Sequence, residues 1–181
     1  MKAIAVAILG FSVGAGVCHF ANKERKYLSQ IENYQVYIDP AFGPKGRADV
    51  HSALNAWQTA TKDTDHPLVF ATVDALKMCG RDAFACGNGV FTIHPNTKES
   101  ISLLYGKRAI GLTDPRNNVF VANELKASER KRVLEHEIGH ILHLKHSGEE
   151  TGPRSIMRSD LGYMSDGITE ADIEQYSAVK E

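Results

Sequence analysis

The stretch from Ser128 to His146 reads SERKRVLEHEIGHILHLKH. Its apolar positions recur at helical spacing, and within it His136, Glu137 and His140 form the pattern H-E-x-x-H. Positions four apart on a helix lie on one face, one above the other. Two imidazoles so placed can grip one metal ion, and the glutamate between them can reach a water on that ion. This is the arrangement of zinc hydrolases, with both histidines as ligands and the glutamate as general base. Ser128 is the expected N-cap, with Glu129 in the first turn, where an acid complements the helix dipole.

Two histidines leave zinc short of ligands, and His146 is the candidate third. It stands ten residues past His136. On an unbroken helix that is about 15 Å along the axis, too far to share an ion. The pattern therefore requires the helix to stop near residue 143 and the chain to turn back. His143 lies about 10 Å from His136 along a straight helix, so it reads as the turn residue rather than a ligand. Glu149, Glu150 and Glu170 are the alternatives for a two-histidine, one-glutamate site.

HEIGHILHLKH resembles the extended motif H-E-x-x-H-x-x-G-x-x-H of the metzincin zinc metallopeptidases. The motif glycine, suited to a left-handed residue at the helix end, is replaced here by His143. Histidine is among the residues enriched in that conformation, at a cost of roughly 1–2 kcal/mol. Downstream, Ser155-Ile156-Met157 resembles the family's Met-turn, and Ser147 follows the third histidine as in the matrixin-like branch. The astacin-like branch has a tyrosine ligand where this chain has Ser159, so no tyrosine ligand is expected. The likeness is close over the last third of the chain and extends upstream only as an order of elements.

The resemblance implies an α+β, zincin-like fold. A twisted mixed sheet with two helices would form an upper subdomain, above a small irregular lower subdomain with the Met-turn and a C-terminal helix. Residues 27–181 would be the catalytic domain. It implies a zinc-dependent endopeptidase with one catalytic zinc ion on His136, His140 and His146, and a zinc-bound water activated by Glu137. Met157 would be an apolar floor beneath the imidazoles. The edge strand Ala109 to Thr113 would bind extended substrate through Gly111 and Leu112. Tyr163, close after Leu161, would wall the main side-chain pocket. Structural Ca2+ or a second Zn2+ is not indicated, although His94, at a strand end, could touch a second metal. The substrate implied is a peptide or protein. Two other readings remain open: a non-catalytic zinc-stabilised binding module, against which the intact Glu137 argues, and a zinc amidase acting on cell-wall crosslinks.

The rest of the chain bounds these readings. Its 181 residues suit one domain with its own core, and a net charge of −1 leaves no nucleic-acid footprint. A monomer is expected. Lys2 followed by the small and apolar run Ala3 to Val17 reads as a signal peptide or N-terminal membrane anchor over residues 1–21. The domain should then be secreted, periplasmic or membrane-anchored, facing an export compartment. Cys79 and Cys86 bracket a short loop and are expected to pair there as a disulfide.

Upstream of the zinc helix, Tyr34 to Phe42 alternates as a strand. Arg47 to Thr61 puts Val50, Leu54 and Trp57 on one helical face, with Trp57 in the core. Pro67 to Val73, Gly89 to His94, Ser100 to Tyr105, Ala109 to Thr113 and Val119 to Ala122 read as strands. His51 and His66 read as surface residues. A last helix begins near Glu170, with Thr169 as N-cap, Asp172 as the capping-box acid, and Ile168 and Ile173 at the staple positions.

Overall fold

The computed structural model describes residues 31–73, 89–106, 109–148 and 154–181. The leader, Cys79, Cys86, Glu149 and Glu150 lie outside them. No helix among the described residues is long and apolar enough to cross a membrane.

The alternation around Val36 and Ile38 makes strand β1 (Glu32–Ile38). It ends four residues before Phe42 because Asp39 stops it. The Asp39 side chain accepts the Ala41 N–H at 2.8 Å and caps a 3-10 turn over Pro40–Phe42. Helix α1 (Gly43–Thr61) starts directly after, earlier than the expected Arg47. Pro44 is no obstacle at the first turn, where its missing N–H would have no helical partner. Val50, Ala53, Leu54 and Trp57 are buried on its inner face.

Four further strands follow: β2 (Leu68–Thr72), β3 (Val90–Asn96), β4 (Gly111–Thr113) and β5 (Asn118–Ala122). They join β1 in a five-stranded mixed sheet of order β2-β1-β3-β5-β4. β1 pairs in parallel with β2 and β3, and β3 with β5; only β4 runs antiparallel, on β5. The central strands carry Val36, Ile38, Phe91, Ile93, Val119 and Val121, all buried. β1 keeps the alternation, with Tyr34, Val36 and Ile38 buried and Gln35 exposed between them.

The expected strand from Ser100 to Tyr105 is instead a helix, α2 (Lys98–Tyr105). Thr97 caps it, its hydroxyl accepting the Ser100 N–H at 3.1 Å, and Gly106 ends it at φ 107°. Ile101 is buried while Leu103 and Leu104 are 79% and 69% exposed. The apolar run is therefore not one face of a sheet.

Helix α3 (Ala127–Ile141) carries the H-E-x-x-H pattern. Its N-cap is Lys126 rather than Ser128. Glu129 reaches back so that its carboxylate accepts the Lys126 N–H at 3.0 Å, which fixes the start two residues earlier than Ser128 would. α1 and α3 pack on each other, and the Trp57 indole N–H donates to the Glu135 carbonyl at 2.8 Å. Helix α4 (Glu170–Lys180) closes the chain with Thr169 as N-cap and Asp172 at its third position. Ile168 and Ile173 both pack against the core. The whole is an α+β fold, with four helices beside the sheet among the described residues.

Candidate metal centre

The end of α3 builds the site. Leu142 is the C-cap, and His143 follows at φ 68°, in the left-handed region. The Leu144 N–H donates to the Gly139 carbonyl at 2.9 Å and the His143 N–H to the His140 carbonyl at 3.0 Å. These two bonds define a Schellman motif, with a histidine where glycine is usual. The chain reverses, and His146 comes back to the helix.

The Nε2 atoms of His136, His140 and His146 then lie 3.1–3.2 Å from one another. His136 Nδ1 donates to the Ile156 carbonyl at 2.8 Å, and His140 Nδ1 to the Leu144 carbonyl at 2.9 Å. A carbonyl can only accept, so in both rings the proton is on Nδ1 and Nε2 is a bare lone pair. Bare lone pairs at this separation repel unless a cation lies among them. Zinc–nitrogen bonds of about 2.0–2.1 Å in tetrahedral geometry put ligand nitrogens about 3.3 Å apart. The three histidines fit a metal ion by both spacing and donor chemistry. Burial holds His136 well below the ordinary imidazole range, at about 4, and lowers His140 as well. Both are neutral near pH 7, as ligands must be.

Ser155-Ile156-Met157 passes under the cluster. Met157 is fully buried. A Cβ on Gly139 would stand 2.3 Å from its sulfur, so the methionine is wedged against the ligand helix where that helix has no side chain. Asp172 of α4 holds this turn from the other side. Its carboxylate accepts from Ser155 Oγ at 2.5 Å and from the Ile156 N–H at 3.1 Å. The Ser147 N–H donates to the Met157 carbonyl at 2.9 Å, tying the segment after His146 to the same turn.

A cleft of about 580 Å³ opens beside the histidines. Gly111, Leu112 and Thr113 of β4 line one side; Val133, Leu161 and Met164 supply apolar walls. Glu137 lies in it, almost fully buried. The Thr113 hydroxyl is 2.8 Å from Glu137 Oε2 and 2.9 Å from the Glu137 carbonyl oxygen. Burial pushes the Glu137 carboxyl up to about 7, against the lowering effect of the Thr113 hydroxyl.

The structure thus brings together His136, Glu137, His140, His146, Met157, Gly111 and Leu112. It leaves Tyr163 out: that residue is 68% exposed and is not among those lining the cleft. The chain turns over Asp160–Met164 and carries Met164 inward in its place. His94 stacks on Phe120, its ring nitrogens 2.9 Å from Asp39 Oδ2 and Thr92 Oγ1. Thr113 and Met164 were not predicted. A threonine two residues before a turn carries no signal of its own, since its partner comes from another element.

Fold and site together define an α+β protein with a three-histidine cluster that could hold a metal ion. No protein-family model and no curated protein matches the chain. A solved structure described as "Structure of a chaperone-substrate complex" is similar over 82% of this chain, at 11% identity and a TM-score of 0.42. This chain spans 34% of that chain's length.

Proposed function

We propose that this protein is a zinc-dependent endopeptidase of the matrixin-like metzincin kind, with Glu137 as general base. The observation that carries the reading is the convergence of three Nε2 atoms beside a buried glutamate, in a cleft flanked by an edge strand. His136, His140 and His146 would hold the ion, and a three-imidazole site suits zinc. When bound, zinc supplies Lewis acidity, making water more acidic and polarising a carbonyl oxygen.

The chain's own residues do the rest. The Glu137 carboxylate takes a proton from the attacking water and returns it to the leaving amine. Burial raises its pKa, and a nearby dication would pull that value back down, keeping the carboxylate ionised to accept the proton. β4 offers a template for an extended peptide. The Ile110 carbonyl accepts from the Ala122 N–H, and the Asp114 N–H donates to the Asn118 carbonyl. Antiparallel pairing alternates, so the backbone groups of Gly111 and Thr113 turn to the open side. A peptide could add there as a further strand, bound through its backbone. Leu161, Met164 and Val133 would exclude water around one substrate side chain.

The test combines metal analysis with a peptide-library assay. Wild type and Glu137→Gln should each bind one equivalent of zinc, and His146→Ala should not. Glu137→Gln should lose peptide hydrolysis by about a hundred- to ten-thousandfold, the usual worth of general acid–base catalysis. Turnover retained in that variant would refute the mechanism.

A further inference from the structure

We infer that β4 is a cradle for the catalytic carboxylate, in which Gly111 and Thr113 act as positioning residues that fix Glu137 in one rotamer and leave its Oε1 to take the proton. The inference rests on the reading of Glu137 as general base.

Residues two apart on a strand face the same way, so Gly111 and Thr113 both meet α3. At residue 111 the strand comes so close that a Cβ would stand 2.6 Å from Glu137 Oε1 and 2.5 Å from Val133 Cγ1. Only a residue without a side chain lets the carboxylate lie against the strand here. At residue 113 the contact is polar: the hydroxyl is 2.8 Å from Oε2. The same hydroxyl is 2.9 Å from the Glu137 carbonyl, but it has one proton, and the ionised carboxylate is the stronger acceptor. The two oxygens are therefore unequal. Oε2 is held by Thr113, while Oε1 has no hydrogen bond among the described residues.

This matters for a base. A free glutamate has three rotatable bonds and loses much entropy when ordered. A reacting group displaced by 1 Å loses much of its rate. The Gly111 gap limits where the carboxylate can lie, and the Thr113 bond selects one orientation within that space. The bond also uses the oxygen that does not react, so proton transfer at Oε1 need not break it.

The test uses the zinc-loaded full chain as wild type, Thr113→Val, Thr113→Ser and Glu137→Gln. It measures bound zinc, kcat and KM on a fluorogenic peptide, and calorimetric affinity for acetohydroxamate, a small chelator whose N–H and O–H can donate to Glu137. Thr113→Val keeps the shape and removes the hydroxyl. It should retain zinc and a KM within about twofold, while kcat falls about 10–100-fold, the usual cost of losing a partner behind a catalytic group. Acetohydroxamate should bind about tenfold more weakly to Thr113→Val. Thr113→Ser should restore most of the rate and the chelator affinity. If Thr113→Val keeps zinc and a wild-type kcat while Glu137→Gln is inactive, the cradle is wrong and the base assignment stands. Loss of zinc or of the fold in Thr113→Val, or failure of serine to rescue, would make the residue structural and also overturn the cradle. A wild type that binds zinc without hydrolysis, or a fully active Glu137→Gln, would remove the base reading and the cradle with it.

Discussion

Gly139 shows how a residue inside the motif can be set by something other than ligation. It is the third residue from the end of α3, where alanine would be favoured by up to about 1 kcal/mol. Yet a Cβ there would stand 2.3 Å from Met157 Sδ and 3.4 Å from Trp57 Cζ2, and both neighbours are fully buried. Sδ is not the free end of its side chain, so relief requires moving a core methionine. Overpacking of this kind costs about 1–3 kcal/mol, which exceeds the helix gain. Gly139→Ala should therefore destabilise the fold by about 1 kcal/mol, with a lower midpoint in chemical denaturation. A variant more stable than wild type would mean that Met157 moves freely and is not a fixed floor. His143 presents the converse case. Its left-handed φ is strained for a side chain, and the Schellman bonds that follow hold it there.

At the scale of elements, α4 supports the site without touching it. Asp172 accepts from the Thr169 N–H and hydroxyl at 2.7 Å each, as a capping acid, and from Ser155 Oγ and the Ile156 N–H in the Met157 turn. The Ile156 carbonyl in turn orients His136. Asp172→Ala would leave several buried donors unpaired, at about 1–3 kcal/mol for each group that water cannot reach. The expected outcome is a loss of about 3 kcal/mol in urea denaturation, together with a 10–100-fold weaker hold on zinc in chelator competition. Unchanged zinc affinity in a folded variant would disconnect α4 from the centre. The capping role of Asp172 was legible in the sequence because caps are local patterns. Its second role was not, since it spans the gap to Ile156. The same divide explains the rest. The ligand helix and its reversal at His143 could be read because helix geometry alone forbids His146 from reaching His136 otherwise. α2 reads as a strand because Ile101, Leu103 and Leu104 are apolar, although two of them face solvent; the cap at Thr97 is the local sign of a helix. Tyr163 faces solvent, and its spacing from Met157 does not determine which way a turn points.

For the whole molecule, pH sets opposing groups against each other. His136 has a native pKa of about 4, depressed by burial from its ordinary 6.5. Between those values the unfolded chain takes up a proton that the native ring refuses, so this group makes stability fall as pH drops from 6.5 to 4. Glu137 does the reverse. Burial raises it from 4.5 to about 7, so the native carboxyl binds a proton that the unfolded one does not, and its contribution grows as pH drops from 7 to 4.5. Each amounts to roughly 3 kcal/mol, with opposite sign. His140 and Glu135 repeat the opposition, the first lowered by burial, the second raised by burial against the pull of Lys131. Without metal, stability should therefore be nearly flat from pH 6.5 to 4.5. Below that range Asp39 adds a loss: burial raises it, but hydrogen bonds from His94 and the Ala41 N–H hold it lower on balance. With zinc bound the cancellation ends. The ion requires neutral imidazoles and favours an ionised Glu137, so both now work against acid. Urea denaturation at stepped pH, with chelator and with zinc, should give a shallow profile for the first and a fall of several kcal/mol for the second. A zinc-supplemented profile as flat as the chelated one would mean that His136, His140 and His146 do not hold the ion.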